Sequence, residues 1–356
     1  MIVTIKSEVF NDSKNDSDLN DLMHFFRKGR HRLYLQKAID FEAFEKSQWK
    51  EKLSKSDVDI LKEGIGRIDK KEIVVNNTSN EVEFNLKEAY AYLQQPLSII
   101  VENYEYEPAF VNCIFKNFGD DLLVAKNKHW LKFENGGGAN DNTIKGMLKE
   151  LFNDNIYTKS KEKYLRCYVI KDSDREYCIL NQDNTITEQN LPERKIEFLE
   201  KNKIPYHILY KREKENYMTD KIFNSFLQTA KKNDKKKEFA ISYLKLTHHQ
   251  KDFFDIEKGF SIKAGNGREI KVKTQLKTEV QQLYDNLSDE DYRKIGLGLE
   301  MASFKSEFSN YFEDSTRDDL EKRILHQSKL VSKVNKNDTT ERNEFDHIIH
   351  EIKYLL

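Results

Sequence analysis

Leu97-Ser98-Ile99-Ile100-Val101-Glu102, preceded by Pro96, sets the architecture expected of this chain. A short run of β-branched and aliphatic residues with no polar alternation predicts a strand buried on both faces, the kind found inside a helix-covered sheet. The run stops on a carboxylate, Glu102. Beyond it, Glu107-Pro108-Ala109-Phe110 places proline at a first helical position, and Phe110, Ile114 and Phe118 recur at helical spacing until Gly119 closes the helix. The unit therefore begins strand, acid, helix.

Downstream the alternation continues. Asp121-Leu122-Leu123-Val124-Ala125 is expected as a second strand. Asn135-Gly136-Gly137-Gly138-Ala139-Asn140-Asp141-Asn142-Thr143 leads into a helix whose Ile144, Met147, Leu148, Leu151 and Phe152 share one face. Residues 163–170 form a third strand running into Lys171-Asp172-Ser173-Asp174-Arg175. A helix over 191–202 precedes a fourth strand over 205–210, which runs into Lys211-Arg212-Glu213-Lys214-Glu215-Asn216-Tyr217. Alternating strands and helices imply right-handed crossovers and a parallel sheet, an α/β unit over 96–218.

The flanks are less regular. Residues 1–95 read as an α-rich flank: a polar loop over 11–21 leading to a helix, an amphipathic helix through Phe41, Phe44 and Trp49, and a hairpin within 72–84. The basic run Arg27-Lys28-Gly29-Arg30-His31-Arg32 reads as a solvated face or a phosphate contact. Residues 219–356 read as mainly helical, with a helix over 223–230, the basic stretch 231–237 and a hairpin about Gly265-Asn266-Gly267. Ser315-Thr316-Arg317-Asp318 and Asp338-Thr339-Thr340-Glu341 are expected to open the last two helices.

A chain of 356 residues, 38% hydrophobic, can bury a substantial core, and a net charge of -1 provides no global field to attract nucleic acid. Any polyanion site must come from local clustering. Cys113, Cys167 and Cys178 form no C-x-x-C pair, which suggests a reducing cytoplasm. The apolar start Met1-Ile2-Val3-Thr4-Ile5 is too short for a signal peptide, and no run of about 18 apolar residues suggests a membrane span. No G-x-x-x-x-G-K-[ST] occurs, so a P-loop is excluded, and His248, His249, His347 and His350 read as surface and core histidines rather than zinc ligands.

In a parallel sheet the carboxyl ends of the strands converge on one edge, where ligands bind. Three such ends carry acids: Glu102, then Asp172 and Asp174, then Glu213 and Glu215. An extended Asp-x-Asp puts alternate side chains on one side, a pair of hard oxygen ligands suited to Mg²⁺. The plainer reading of each acid alone is that it caps the following helix. Lys171, Lys211 and Arg212 lie beside these acids, placed either to neutralise a scissile phosphate or to balance the carboxylates. The glycines at 136–138 are either an anion cradle or a tight turn.

Ile99-Ile100-Val101-Glu102 with Glu107-Pro108-Ala109-Phe110, then Val169-Ile170-Lys171-Asp172-Ser173-Asp174-Arg175, then Arg212-Glu213-Lys214-Glu215-Asn216-Tyr217 resemble the successive motifs of a TOPRIM domain, in the version found in OLD-like nucleases of bacterial anti-phage systems. The resemblance covers residues 97–217, about a third of the chain. It implies a Mg²⁺- or Mn²⁺-dependent hydrolase of DNA or RNA phosphodiesters. Glu102 would act as general acid or base or as a metal ligand, Asp172, Asp174 and Glu215 would hold metal, and Glu107 would serve a second ion. It also implies a separate ABC-type ATPase or sensor as partner and admits a homo-oligomer. Asn103 replaces the glycine that commonly follows the first glutamate, and one extra residue separates Glu102 from Glu107. The alternatives are a silent TOPRIM scaffold that binds nucleic acid or a protein, and a topoisomerase- or primase-like protein.

Overall fold

The computed structural model describes residues 1–35, 37–63, 69–137, 141–178, 196–229, 234–299, 309–324 and 330–356. Gly138, the start of the helix expected from 191, and residues 231–233 of the basic stretch lie outside these. The fold is α/β, with two four-stranded sheets whose strands all pair in parallel.

The second sheet is the one expected from the opening run. Its strands are β5 (Leu97–Val101), β6 (Leu131–Asn135), β7 (Cys167–Lys171) and β8 (Tyr206–Ile208), in the order β6-β5-β7-β8. All five residues of β5 and of β7 are buried, as a central parallel strand requires, whereas in β6, an edge strand, only Leu131 and Phe133 are. The chain leaves β5 to one side to make β6, then crosses to the other side for β7. The β5/β7 boundary is therefore a topological switch point, and a crevice opens at the carboxyl ends of these two strands.

Residues 121–125 are a correction. They lie in the helix Asp121–Asn127, whose first amide is capped by Asp120 Oδ1 at 2.9 Å. Leu122 and Ala125, three apart, are buried while Val124 is 52% exposed, so a run too short to separate the two periods by eye is helical. The second strand is β6 instead.

The N-terminal flank is also corrected. β1 (Ile2–Ile5), β2 (Arg32–Leu33), β3 (Glu72–Val75) and β4 (Glu83–Phe84) form a parallel sheet in the order β2-β1-β3-β4. The expected hairpin is absent because Asn80 Oδ1 accepts from the amides of Val82 and Glu83, both at 2.8 Å, and turns the chain so that β4 re-enters parallel to β3. Phe44 and Trp49 are buried from two short helices, Ala38–Lys46 and Gln48–Lys52, broken at Ser47, which caps the second. The basic run serves the fold: Arg27 pairs with Asp57 at 2.7 Å and His31 is buried against Leu93 O at 3.1 Å.

The C-terminal region follows the expected pattern in part. β9 (Ser261–Ala264) and β10 (Gly267–Ile270) form the hairpin, with Gly265 at a φ of 53° that favours glycine. The helix Arg317–Ile324 is opened by reciprocal contacts of Thr316 and Asp319. The last helix, Glu344–Leu355, is capped by Asn343 rather than by residues 338–341, which form a turn closed by Asp338 Oδ1 on the Thr340 amide.

One hydrophobic core runs from Leu97 through Phe110, Tyr217, Phe254 and Phe345 to Leu356, so the expected boundary at 218/219 crosses a shared core. A second core fills the first sheet's layer. Helix Glu344–Leu355 packs on helix Glu107–Phe118 so closely that a Cβ at Gly119 would lie 2.7 Å from Ile349 Cγ2. All three cysteines are buried and none is in a disulfide. No described helix is long and apolar enough to cross a membrane.

Candidate metal centre

The acids at the ends of β5 and β7 meet at the switch point. Carboxylate oxygens of Glu102, Glu107 and Asp172 lie within 4.8 Å of one another. Glu107 occupies the first turn of its helix, where the helix dipole favours a negative charge, and its Oε2 accepts the Glu102 amide at 2.7 Å. Asp172 follows β7 directly, is buried, and accepts the Lys214 amide at 3.1 Å.

Lys214 is the residue that sequence reasoning missed. It opens a single 3₁₀ turn, Lys214–Tyr217, after β8, and its ammonium lies 3.2 Å from Glu107 Oε1 and 3.2 Å from Glu215 Oε1. Glu215 is 2% exposed, and among the described residues neither of its carboxylate oxygens accepts a hydrogen bond, so its contact with Lys214 is an ion pair alone. The signal was a lysine between two glutamates, but only the 3₁₀ turn decides which of the three side chains faces inward.

Burial drives the Asp172 carboxyl well above the usual carboxylate range; Lys214 pulls it down, and Glu107, Glu215 and Glu213 push it up. Burial lowers the Lys214 ammonium, but Glu215, Asp172 and Glu107 outweigh it and raise the net value. Burial is the main cause for Asp172, and the crowding of acids adds to it and is what raises Lys214. A hard divalent cation with few protein ligands fits this all-oxygen donor set.

The other expected site residues divide. Asp174 lies outside the group of three: β7 ends at Lys171, and Asp174 takes a φ of 54°, so the extended alternation that would align it with Asp172 is broken. Its amide instead donates to Arg212 O at 2.9 Å. Lys211 is fully buried against Asp252, and Arg212 pairs with Asp255 at 2.8 Å. Both therefore balance carboxylates of the C-terminal region and do not reach the acids at the switch point. Lys171 is buried at the end of β7, next to Asp172, and makes no ion pair among the described residues. Gly136 extends the β5 ladder with a 2.6 Å bond to Val101 O, and Gly137 turns at a φ of 60°, which matches a tight turn.

His347 is a core residue, as expected, whereas His350 has acid neighbours that its sequence spacing hid. Its Nε2 lies 3.0 Å from Asp338 and 4.0 Å from Asp69. Asp338 already accepts from the Thr340 amide and from Arg342, so this cluster is a polar network about Asp338, beside which burial lowers the His350 imidazole.

The chain matches no protein-family model, no curated protein and no solved structure. The molecule itself defines its class: an α/β chain of two parallel sheets with a buried acidic cluster at the switch point of the second.

Proposed function

We propose that this chain is a Mg²⁺- or Mn²⁺-dependent nuclease that hydrolyses nucleic-acid phosphodiesters, the cytoplasmic effector of an anti-phage system. The observation that carries the reading is the convergence of Glu102, Glu107 and Asp172 at the carboxyl edge of β5 and β7. A divalent ion there supplies Lewis-acid stabilisation of phosphate oxygens and a more acidic bound water. Glu102 and Asp172 hold the ion, Glu107 fixes the turn that presents Glu102, and Lys171 offers positive charge to the phosphate. With no P-loop in its sequence, the chain is expected to answer to a separate ABC-type ATPase or sensor.

The test is incubation of the purified chain with Mg²⁺ or Mn²⁺ and plasmid, linear duplex or tRNA. Cleavage that EDTA stops is the expected result. Inertness toward all three, with and without the products of neighbouring genes, sinks the reading.

A second reading, a silent scaffold, is favoured by the ammonium of Lys214, which already gives the acids a partner. Thermal melting separates the two. Mn²⁺ at about 100 times its dissociation constant is expected to stabilise a true metal centre by about 2.7 kcal/mol, and a scaffold not at all.

A further inference from the structure

We infer that this centre binds a single divalent cation, with the ammonium of Lys214 standing where a second would sit. The inference rests on the metal-centre reading above and goes beyond it in fixing the ion count and in giving Glu215 a partner other than metal.

A pair of catalytic ions roughly 4 Å apart needs carboxylates that reach both. Of the group of three, Glu107 is the acid whose side chain also meets Lys214, and both its oxygens are engaged. Oε2 accepts the Glu102 amide at 2.7 Å, and Oε1 faces Lys214 Nζ at 3.2 Å. Glu215 faces the same ammonium at 3.2 Å. The place between Glu107 and Glu215 therefore already holds a cation, and that cation is part of the chain.

Lys214 is also held firmly. It is 2% exposed, its own amide is bonded to Asp172 Oδ1 at 3.1 Å, and the turn that carries it is closed by Glu213 N on Asn216 Oδ1 at 2.8 Å. Charge points the same way. One ammonium and one divalent ion nearly balance the carboxylates of Glu102, Glu107, Asp172 and Glu215, whereas a second divalent ion beside the ammonium would make the group net positive. The Glu215 carboxylate, buried with no hydrogen-bond donor to either oxygen among the described residues, would become a ligand once the lysine is gone.

The experiment measures Mn²⁺ binding to the full chain, without nucleic acid, by titration calorimetry and by the electron paramagnetic resonance of the bound ion. One magnetically isolated ion is expected in the wild type, and a spin-coupled pair in Lys214→Met. Glu215→Gln, which keeps Lys214, is expected to bind one ion with affinity within about threefold of wild type, a change of less than about 1 kcal/mol. Two ions in the wild type, one ion in a folded Lys214→Met, or loss of the ion in Glu215→Gln each overturns the inference. The Glu215→Gln result decides it even where Lys214→Met does not fold. No ion in the wild type removes the metal centre and this inference together, whereas one bound ion without cleavage leaves the count standing and removes only the nuclease reading.

Discussion

Asp172→Asn is expected to lower divalent-dependent cleavage by roughly 10³-fold, about 4 kcal/mol of transition-state stabilisation, while the ion-free variant melts above the wild type. The two effects share a cause. Asp172 is buried, and its carboxyl is held above the usual range by that burial and by Glu107, Glu215 and Glu213. A carboxyl whose folded value exceeds the unfolded value of about 3.9 keeps its proton longer in the folded state. Its contribution to stability is complete below about pH 4 and is lost as pH rises through the folded value. At neutral pH in EDTA the wild type carries this penalty. Asparagine removes the charge and keeps an oxygen for the Lys214 amide, so the ion-free variant gains on the order of 1 kcal/mol. The measurement is thermal melting in EDTA at pH 7.5 and near pH 4, followed by addition of Mn²⁺. The gap is expected to narrow in acid, and Mn²⁺ should reverse the order by stabilising only the wild type. A variant that still cleaves, or that melts lower in EDTA at neutral pH, defeats the assignment. Glu102→Gln is expected to match the activity loss without the same gain, since Glu102 is less buried.

The second sheet was legible because burial on both faces leaves a compositional mark. Ile99-Ile100-Val101 and Tyr168-Val169-Ile170 need no neighbours to be read as central parallel strands, and the acids that end them were legible for the same reason. Where the sheet meets its edge the mark fades: in β6 only Leu131 and Phe133 point inward, and a nearby apolar helix, Asp121–Asn127, took its place in the expectation. The first sheet was hidden by strand length. Its β2 and β4 have two residues each, below any periodicity, and one of its two inner strands, Ile2–Ile5, is a four-residue apolar start too short to carry a strand signature of its own. Within the site, Glu102 and Asp172 followed from strand ends, whereas Glu107 followed only from the family resemblance. Asp174 stands apart because a single left-handed residue ends the alternation, and Lys211 and Arg212 take the charge-balancing one of their two readings with partners, Asp252 and Asp255, that lie about 40 residues away in sequence in a region whose packing no local pattern announces.

Those distant partners set the largest stability effect expected of this chain. Asp252, fully buried on helix His248–Phe253, accepts from Lys211 Nζ at 2.5 Å and from Arg323 Nη2 at 2.9 Å. Asp252→Ala leaves the buried Arg323 guanidinium and the Lys211 amine without their shared carboxylate and is expected to cost about 3–5 kcal/mol of unfolding free energy, measured by urea denaturation. Burial, followed by repulsion from Arg323, already draws Lys211 down to about 7 against the attraction of Asp252. A lysine with a folded value near 7 and an unfolded value of about 10.4 is protonated more in the unfolded state between those limits, so stability rises with pH across that window. Without Asp252 the lysine loses the group that favours its charge. The variant is therefore expected to recover part of its deficit as pH rises from 6 to 9, and Lys211→Met in the same background to recover more and to flatten that dependence. Arg323 cannot follow, because guanidinium keeps its proton, but its bond to Asn216 O at 2.8 Å remains. Since Asn216 belongs to the turn that carries Lys214, the consequence reaches the site: loss of Asp252 loosens the placement of the ammonium, and cleavage falls with stability. An Asp252→Ala protein within about 1 kcal/mol of wild type would show that this buried network is not what holds the turn against the sheet.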